Sequence, residues 1–393
     1  MKTLMSAHWA LSSNAHRLRI PIAWVTSGAP IELLRAMGVM PLYPENYAAL
    51  VAARRGAEPL LEAAEAAGWS QDLCSYAKID IGSVLRPDLA PLGGLPKPDM
   101  LIACNNICQT VTKWWEALGE LLDVPVFLLD TPFRAGLMGE ARIDYVRSQF
   151  TDLVTFVEEH GGHRFSERAL RRTIGLSRKA LDLWDALMDH GRVRPAPLNG
   201  ADRFILMAPI VNLRGTQAAV QFYRAVWAES RLRMLRGTGA VPSERFRLLW
   251  DDIAVWPALF KLSKIFAERG CSFPVDTYTT AWSGDFTDTD ILRGLSRGYS
   301  DIFLNWTTEE KMERMIEMAR DFHLDGLVIH SNRSCKPYSL GQLEARRRIV
   351  ERTGLPVLVL EADMADPRLV NLDAWDRQVA AFVEVLESRR RSS

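Results

Sequence analysis

The chain has 393 residues, 48% of them hydrophobic and 24% charged, which is enough apolar material for two domains of roughly 150 residues or more each. Its 48 basic side chains balance 48 acidic ones, and a formal net charge of zero argues against a broad nucleic-acid or anionic-membrane surface. No run of about 18 apolar residues occurs and the opening MKTLMSAHWALSSNAHRLRI lacks an apolar signal core, so the expected location is the cytoplasm, with no membrane span and reduced thiols.

Along the chain, short apolar runs alternate with longer segments of helical spacing. Residues 19–25 (RIPIAWV), 100–104 (MLIAC) and 124–129 (VPVFLL) read as buried strands, and 47–67 and 109–122 between them as helices. A mostly helical stretch is expected over 143–190, and PAPLNG at 195–200 breaks the pattern. The boundary is placed there, giving an N-terminal α/β domain over 1–198 and a C-terminal one over 199–393. Strands are expected at 204–211, 247–251, 273–277, 326–330 and 356–360, with helices at 258–269 and 309–322. Strand alternating with helix implies βαβ units, hence two doubly wound parallel-sheet domains facing each other across a cleft.

Five cysteines in a reduced compartment are poor material for a disulfide framework. Cys74 lies in DLCSYAKIDIG after a predicted helix. Cys104 and Cys108 lie in ACNNICQT, where a strand gives way to a helix, and Cys335 lies in HSNRSCKPYS after a strand. In open α/β sheets ligands bind beyond the carboxyl ends of strands. Cys271, between a predicted helix and a strand, has no such setting and reads as structural. Taken singly, each cysteine is a buried thiol. Taken together, their polar neighbours Ser75, Asn105, Asn106, Gln109, Arg333 and Lys336 suit metal ligation. Zinc would want paired CxxC knuckles, which are absent, whereas dispersed cysteines suit a cubane with three thiolates. Arg333 and Lys336 could offset the negative charge of such a cluster, or simply solvate a turn.

No GxxxxGK[ST] phosphate loop and no GxGxxG occurs. GLPKPD at 94–99 is a proline-rich loop and not a phosphate cradle. DTYTTAWSGDF at 276–286 follows a strand and is polar and aromatic, so it either lines the cleft or forms an ordinary loop.

The strings TSGAPIELLRAMG, YPENYAAL, DLCSYAKIDIG, CNNICQTVTKWWE, VPVFLLDTPF, HSNRSCKPYSLGQ and EADMADPR, in this order from about Ile20 to Arg368, resemble the 2-hydroxyacyl-CoA dehydratase and benzoyl-CoA reductase family. The resemblance implies two flavodoxin-like domains with helical insertions and a [4Fe-4S] cluster in the cleft between them. By motif, Cys74, Cys108 and Cys335 match its thiolate ligands, with Cys104 in reserve. Ser27 and Glu45 match family positions near the substrate carbonyl. Without the resemblance they read as a turn serine and a helix-start carboxylate.

The resemblance also implies a paralogous cluster-binding partner subunit, an acyl-CoA substrate, and a separate iron-sulfur ATPase activator that supplies electrons. Two reactions run on this scaffold: reductive dearomatisation of benzoyl-CoA, and loss of water from a 2-hydroxyacyl-CoA through a ketyl radical. GTQAAV at 215–220, SYAKID, NICQTVTKW and SCKPYSLGQ look closer to the reductase type, so a benzoyl-CoA reductase subunit is the expectation. A dehydratase subunit and a non-catalytic electron relay are the alternatives.

Overall fold

The computed structural model describes residues 1–134, 139–282, 284 and 286–392, and within them the chain builds two parallel sheets of four strands each. The first contains β1 (Ile22–Val25), β2 (Met40–Leu42), β3 (Met100–Cys104) and β4 (Val126–Leu129). The second contains β5 (Phe246–Asp251), β6 (Cys271–Asp276), β7 (Gly326–Asn332) and β8 (Val357–Ala362). The strand orders are β2-β1-β3-β4 and β6-β5-β7-β8, so the second sheet repeats the winding of the first. In each, the first strand pairs with the second on one side and the third on the other. Trp24 thus faces Leu42 and Leu101, and Trp250 faces Asp276 and Val328. That reversal is a topological switch point, beyond whose strand ends ligands bind. Helices cover both faces of the sheets, so β1 and β5 are buried throughout; β1 is the continuous apolar run IAWV, while β5 also buries the hydrogen-bonded Arg247 and Asp251.

Seven of the strands fall near their expected places. The strand expected at 204–211 is instead two helices, Gly200–Leu206 and Ala208–Leu213. Asn199 and Asp202 form a capping box that starts the first, and Pro209 sits in the opening turn of the second. Ile205, Leu206 and Ala208 are only part-buried, but FILMAPIV is apolar at every position, so the run carries no sequence period that separates helix from strand. The helix expected over 47–67 is likewise two, Pro44–Ala53 and Glu58–Ala66, parted where Arg55 takes φ 59°. β2 went unpredicted because it is three residues long with a proline at its centre, tolerable only on an edge. The long helical stretch resolves into Glu140–Glu159 and Glu167–Asp189, the latter capped by Ser166, whose Oγ accepts from the Ala169 amide at 3.3 Å.

Buried ion pairs fix the connections between layers. Arg203 donates from Nε and Nη2 to Asp276 Oδ2 at 2.9 and 2.7 Å, with both side chains inaccessible. Glu32, in helix Ile31–Ala36, accepts from Arg214 Nε at 2.8 Å, from Ser177 Oγ at 2.6 Å and from the Tyr299 hydroxyl. Burial opposes the Glu32 charge, but Arg214 and the two hydroxyls outweigh it and hold the carboxyl below its ordinary range. Among the described residues no helix is long and apolar enough to cross a membrane. Replacing Arg214 by Met should strand the Glu32 carboxylate and cost about 3–5 kcal/mol in urea unfolding. Arg346→Met, on an exposed helix, should leave the midpoint unchanged.

Candidate active site

The two switch points face each other. Ser27 and Gly28 follow β1, and Cys108 follows β3. Across from them, Ile253 follows β5 and Cys335 follows β7. Between these loops lies a cavity of about 110 Å³ lined by Cys74, Cys108 and Cys335 together with Ser27, Glu45 and Asn46. Tyr76, Trp114, Tyr278, Ile302, Leu304, Tyr338 and Met364 supply its aromatic and apolar walls.

Each of the three cysteines lies where a helix begins. Cys74 caps helix Ser75–Leu85, and the amides of Ala77 and Tyr76 hydrogen-bond toward its sulfur. Cys108 stands just ahead of helix Thr110–Leu122 and meets the amides of Val111 and Thr110. Cys335 caps the short helix Lys336–Ser339 and meets the amide of Tyr338. Helix amino ends favour thiolates. Burial nevertheless wins, pushing Cys74 up to about 12 and Cys108 up to about 11. Cys335 is raised well above the ordinary thiol range by burial, then by Asp252 and the other two cysteines.

Among the described residues no lysine or arginine lines the cavity. One ammonium close by, on Lys311, is held by the carbonyls of the lining residues Leu304 and Pro337 at 3.1 and 3.0 Å. Its charge reaches Cys335, but one ammonium cannot balance three thiolates; a cation bound among them would, and it would displace their protons. Two further polar atoms at the cavity, Asn46 Nδ2 and the Tyr338 hydroxyl, are buried without a hydrogen-bond partner. Among the described residues no three His, Cys, Asp or Glu side chains converge tightly enough for a single metal ion. A lone zinc would bring its sulfurs within about 4 Å of one another, given Zn–S bonds of about 2.3 Å. The donor set fits a larger thiophilic group: soft ligands, wide spacing and unsatisfied polar neighbours.

Glu45, in the first turn of helix Pro44–Ala53, accepts the Ser27 amide at Oε2 over 2.6 Å. Its carboxyl is pushed up to about 7 by burial, against the lowering pull of the Ser27 side chain and amide. Behind it, Asp80 is also raised to about 7 by burial while accepting Trp114 Nε1 at 3.1 Å.

Cys104 is not brought to the cavity. As the last residue of β3 it points to the opposite face of the sheet from Ala103, into a different apolar core, with Sγ 3.4 Å from Thr131 Oγ1. Cys271 opens β6 in the core of the second sheet, within 4.0 Å of the Arg269 carbonyl. Arg333 and Lys336 face solvent, Arg333 paired with Glu361 and Lys336 Nζ donating to the Arg333 carbonyl at 2.9 Å. Of the segment 276–286, Tyr278, Ala281 and Trp282 line the cavity, while Ser283 and Asp285 lie outside the described residues.

Sequence reasoning did not single out Tyr76, Tyr278 or Tyr338. Tyr76 accepts from Trp256 Nε1 and hydrogen-bonds with Tyr278, linking the two halves across the cavity. The three tyrosines are far apart in sequence, and only the strings SYAKID, DTYTT and SCKPYS that contain them hinted at them.

A family model described as 2-hydroxyglutaryl-CoA dehydratase, D-component, matches residues 26–386. The chain is 33% identical over 391 residues to the (R)-2-hydroxyisocaproyl-CoA dehydratase alpha subunit of Clostridioides difficile, covering 99% of this chain and 95% of that one. It is 31% identical over 374 residues to the (R)-phenyllactyl-CoA dehydratase alpha subunit of Clostridium sporogenes, covering 94% and 91%. Against a benzoyl-CoA reductase subunit of Thauera aromatica it is 27% identical over 377 residues, covering 91% and 87%. With two doubly wound parallel sheets and a family match across nearly its whole length, the chain belongs to the 2-hydroxyglutaryl-CoA dehydratase D-component family of enzyme subunits.

Proposed function

We propose that this chain is a subunit of a 2-hydroxyacyl-CoA dehydratase complex and that Cys74, Cys108 and Cys335 hold a [4Fe-4S] cluster in the cavity between the sheets. The single observation that carries the reading is the convergence of three helix-start thiols, from both sheets, on one cavity lined by no basic side chain. The expectation of a benzoyl-CoA reductase gains no specific support. Relatives at 33% and 31% identity are dehydratase alpha subunits, and the reductase subunit stands at 27%. That 27% relative still makes benzoyl-CoA reduction the second reading. Because these relatives are each named as one subunit of a larger enzyme, they support a hetero-oligomer, in which we place a partner subunit of related fold and a separate iron-sulfur ATPase activator.

When bound, the cluster supplies one-electron chemistry and an iron without a thiolate. The chain's own residues supply the rest. Glu45, fixed through Oε2 by the Ser27 amide, can hold a proton near neutral pH and deliver it within the cavity. Trp114, Tyr278, Ile302, Leu304 and Met364 exclude water from the reacting centre. Cys104, whose side chain is turned into the other core, takes no part in ligation.

Purified without oxygen, the protein should carry about four irons per chain. Cys74→Ala, Cys108→Ala and Cys335→Ala should lose them, while Cys104→Ala and Cys271→Ala keep them. Equal iron retention in all five variants would contradict the assignment. Replacing Glu45 by Gln should preserve iron and reduce turnover of the assembled complex by roughly a hundredfold or more. The same variant has a signature in the metal-free chain. The Glu45 value is raised on folding, so the folded state takes up a proton. Its favourable contribution is present below about pH 4.5 and is lost as pH rises toward 7. E45Q should therefore gain stability relative to wild type between pH 5 and 8, by up to about 3 kcal/mol. Parallel stability curves would dismiss the buried, proton-holding carboxyl.

A further inference from the structure

On the far side of the first sheet the surface opens into a groove of about 710 Å³ whose lining includes Arg35, Arg168 and Arg172 and no aspartate or glutamate. Most arginines in this chain are matched to carboxylates; these are not. Arg168 and Arg172 make no ion pair or hydrogen bond among the described residues, though they stand four apart on one helix. Like charges at that spacing repel, and both lie in the opening turns of the 23-residue helix Glu167–Asp189, where the helix dipole is positive. Glu167 beside them is already taken by Arg171. Arg35 donates from Nη2 to the Asn212 carbonyl, but its Nε is buried with no acceptor. Its nearest carboxylate, Glu32, is committed to Arg214, Ser177 and Tyr299. Thr216, which caps the 19-residue helix Gln217–Leu235, brings a second helix amino end to the groove wall. Three guanidiniums and two positive helix ends thus surround one concave space with no counter-charge among the described residues.

We propose that this groove binds the phosphate groups of a nucleotide-sized ligand, at a site separate from the cysteine-lined cavity. Guanidiniums and helix amino ends are the groups that recognise phosphate. A space of about 710 Å³ is of the size that holds a small organic ligand. The groove lies at Ile20 and Met40, where β1 and β2 start, whereas Ser27 and Glu45 lie beyond their ends. The four residues of β1 alone put about 13 Å of sheet between the two. A phosphate here is therefore not in contact with chemistry at the cysteines. The same phosphoryl chemistry is found in a free nucleoside diphosphate and in the nucleotide end of CoA.

Isothermal titration of the purified chain, and of the assembled complex, with inorganic phosphate, ADP and CoA tests the proposal. ADP or CoA should bind, and R168E and R172E should each weaken that binding by about tenfold or more. R346E, on a distant exposed helix, should not. Glutamate suits the first turns of a helix, so circular dichroism of both variants should match wild type. Binding of CoA in competition with ADP, with KM for acyl-CoA raised in the variants, identifies the ligand as the nucleotide end of CoA. ADP binding that CoA does not displace identifies a free nucleotide. Absence of binding at millimolar concentration, or equal affinity in R168E, R172E and wild type, overturns the proposal. Lost complex assembly in the variants without any ligand binding also overturns it, and gives the arginines to an acidic surface of a partner.

Discussion

Three thiols taken from the two halves of the chain share one buried space, and among the described residues no lysine or arginine lines its wall to balance them. This constraint organises the molecule. Each sheet must end its switch-point strands toward the other, and each cysteine must sit where a helix begins so that backbone amides face its sulfur. Burial then favours the protonated thiols, and the proposed metal group would take the protons' place. Among the described residues no lysine or arginine lines the cavity, which suits the proposed cluster, because a permanent positive charge in the wall would compete with a metal for the thiolates.

Holding the two halves at a fixed separation is the corollary. Directly beneath the cysteine loops the Ser75 amide donates to Ser334 Oγ at 3.1 Å, and that hydroxyl in turn donates to Asp363. Ser75 and Ser334 are the immediate neighbours of Cys74 and Cys335, so one hydroxyl ties together the segments that carry two of the three proposed ligands from opposite halves. A second strap runs alongside. Glu65 accepts from Lys78 at 2.8 Å and from Arg368 at 2.7 and 2.9 Å, joining the first half to the turn after β8. Arg368 and Lys78 together hold the Glu65 carboxyl down to about 2, the hydrogen bond from Arg368 contributing most. These contacts resist separation of the halves, and with them any widening of the cavity.

Much of this was legible in the sequence, and the exceptions have physical causes. Strands such as 100–104 announced themselves because both faces are buried, and the cysteines because polar residues flank them at strand ends. The choice between Cys104 and Cys108 was open from the string ACNNICQT. It turns on strand parity and on where β3 stops: Cys104 is still in the strand and faces the wrong core, while Cys108 is four residues beyond it. The run at 204–211 misled because all eight of its residues are apolar, the part-buried ones included, which leaves no periodicity to read. Tyr76, Tyr278 and Tyr338 were hidden for a different reason, since a wall assembled from loops about 60 to 260 residues apart leaves no local pattern. The arginine groove is of the same kind. Arg35 and Arg172 are distant in sequence, and a net charge of zero conceals a local concentration of one sign.

The account stands or falls on three thiolates, and not four, reaching one cluster. Mössbauer spectroscopy of the protein reconstituted with iron-57 reads this directly, because an iron without a thiolate differs in isomer shift and quadrupole splitting from its thiolate-bound neighbours. Three irons of one type and one of another, lost together in Cys335→Ala, is the predicted result. Four equivalent thiolate-bound irons, or no cluster signal from protein reconstituted without oxygen, would contradict it.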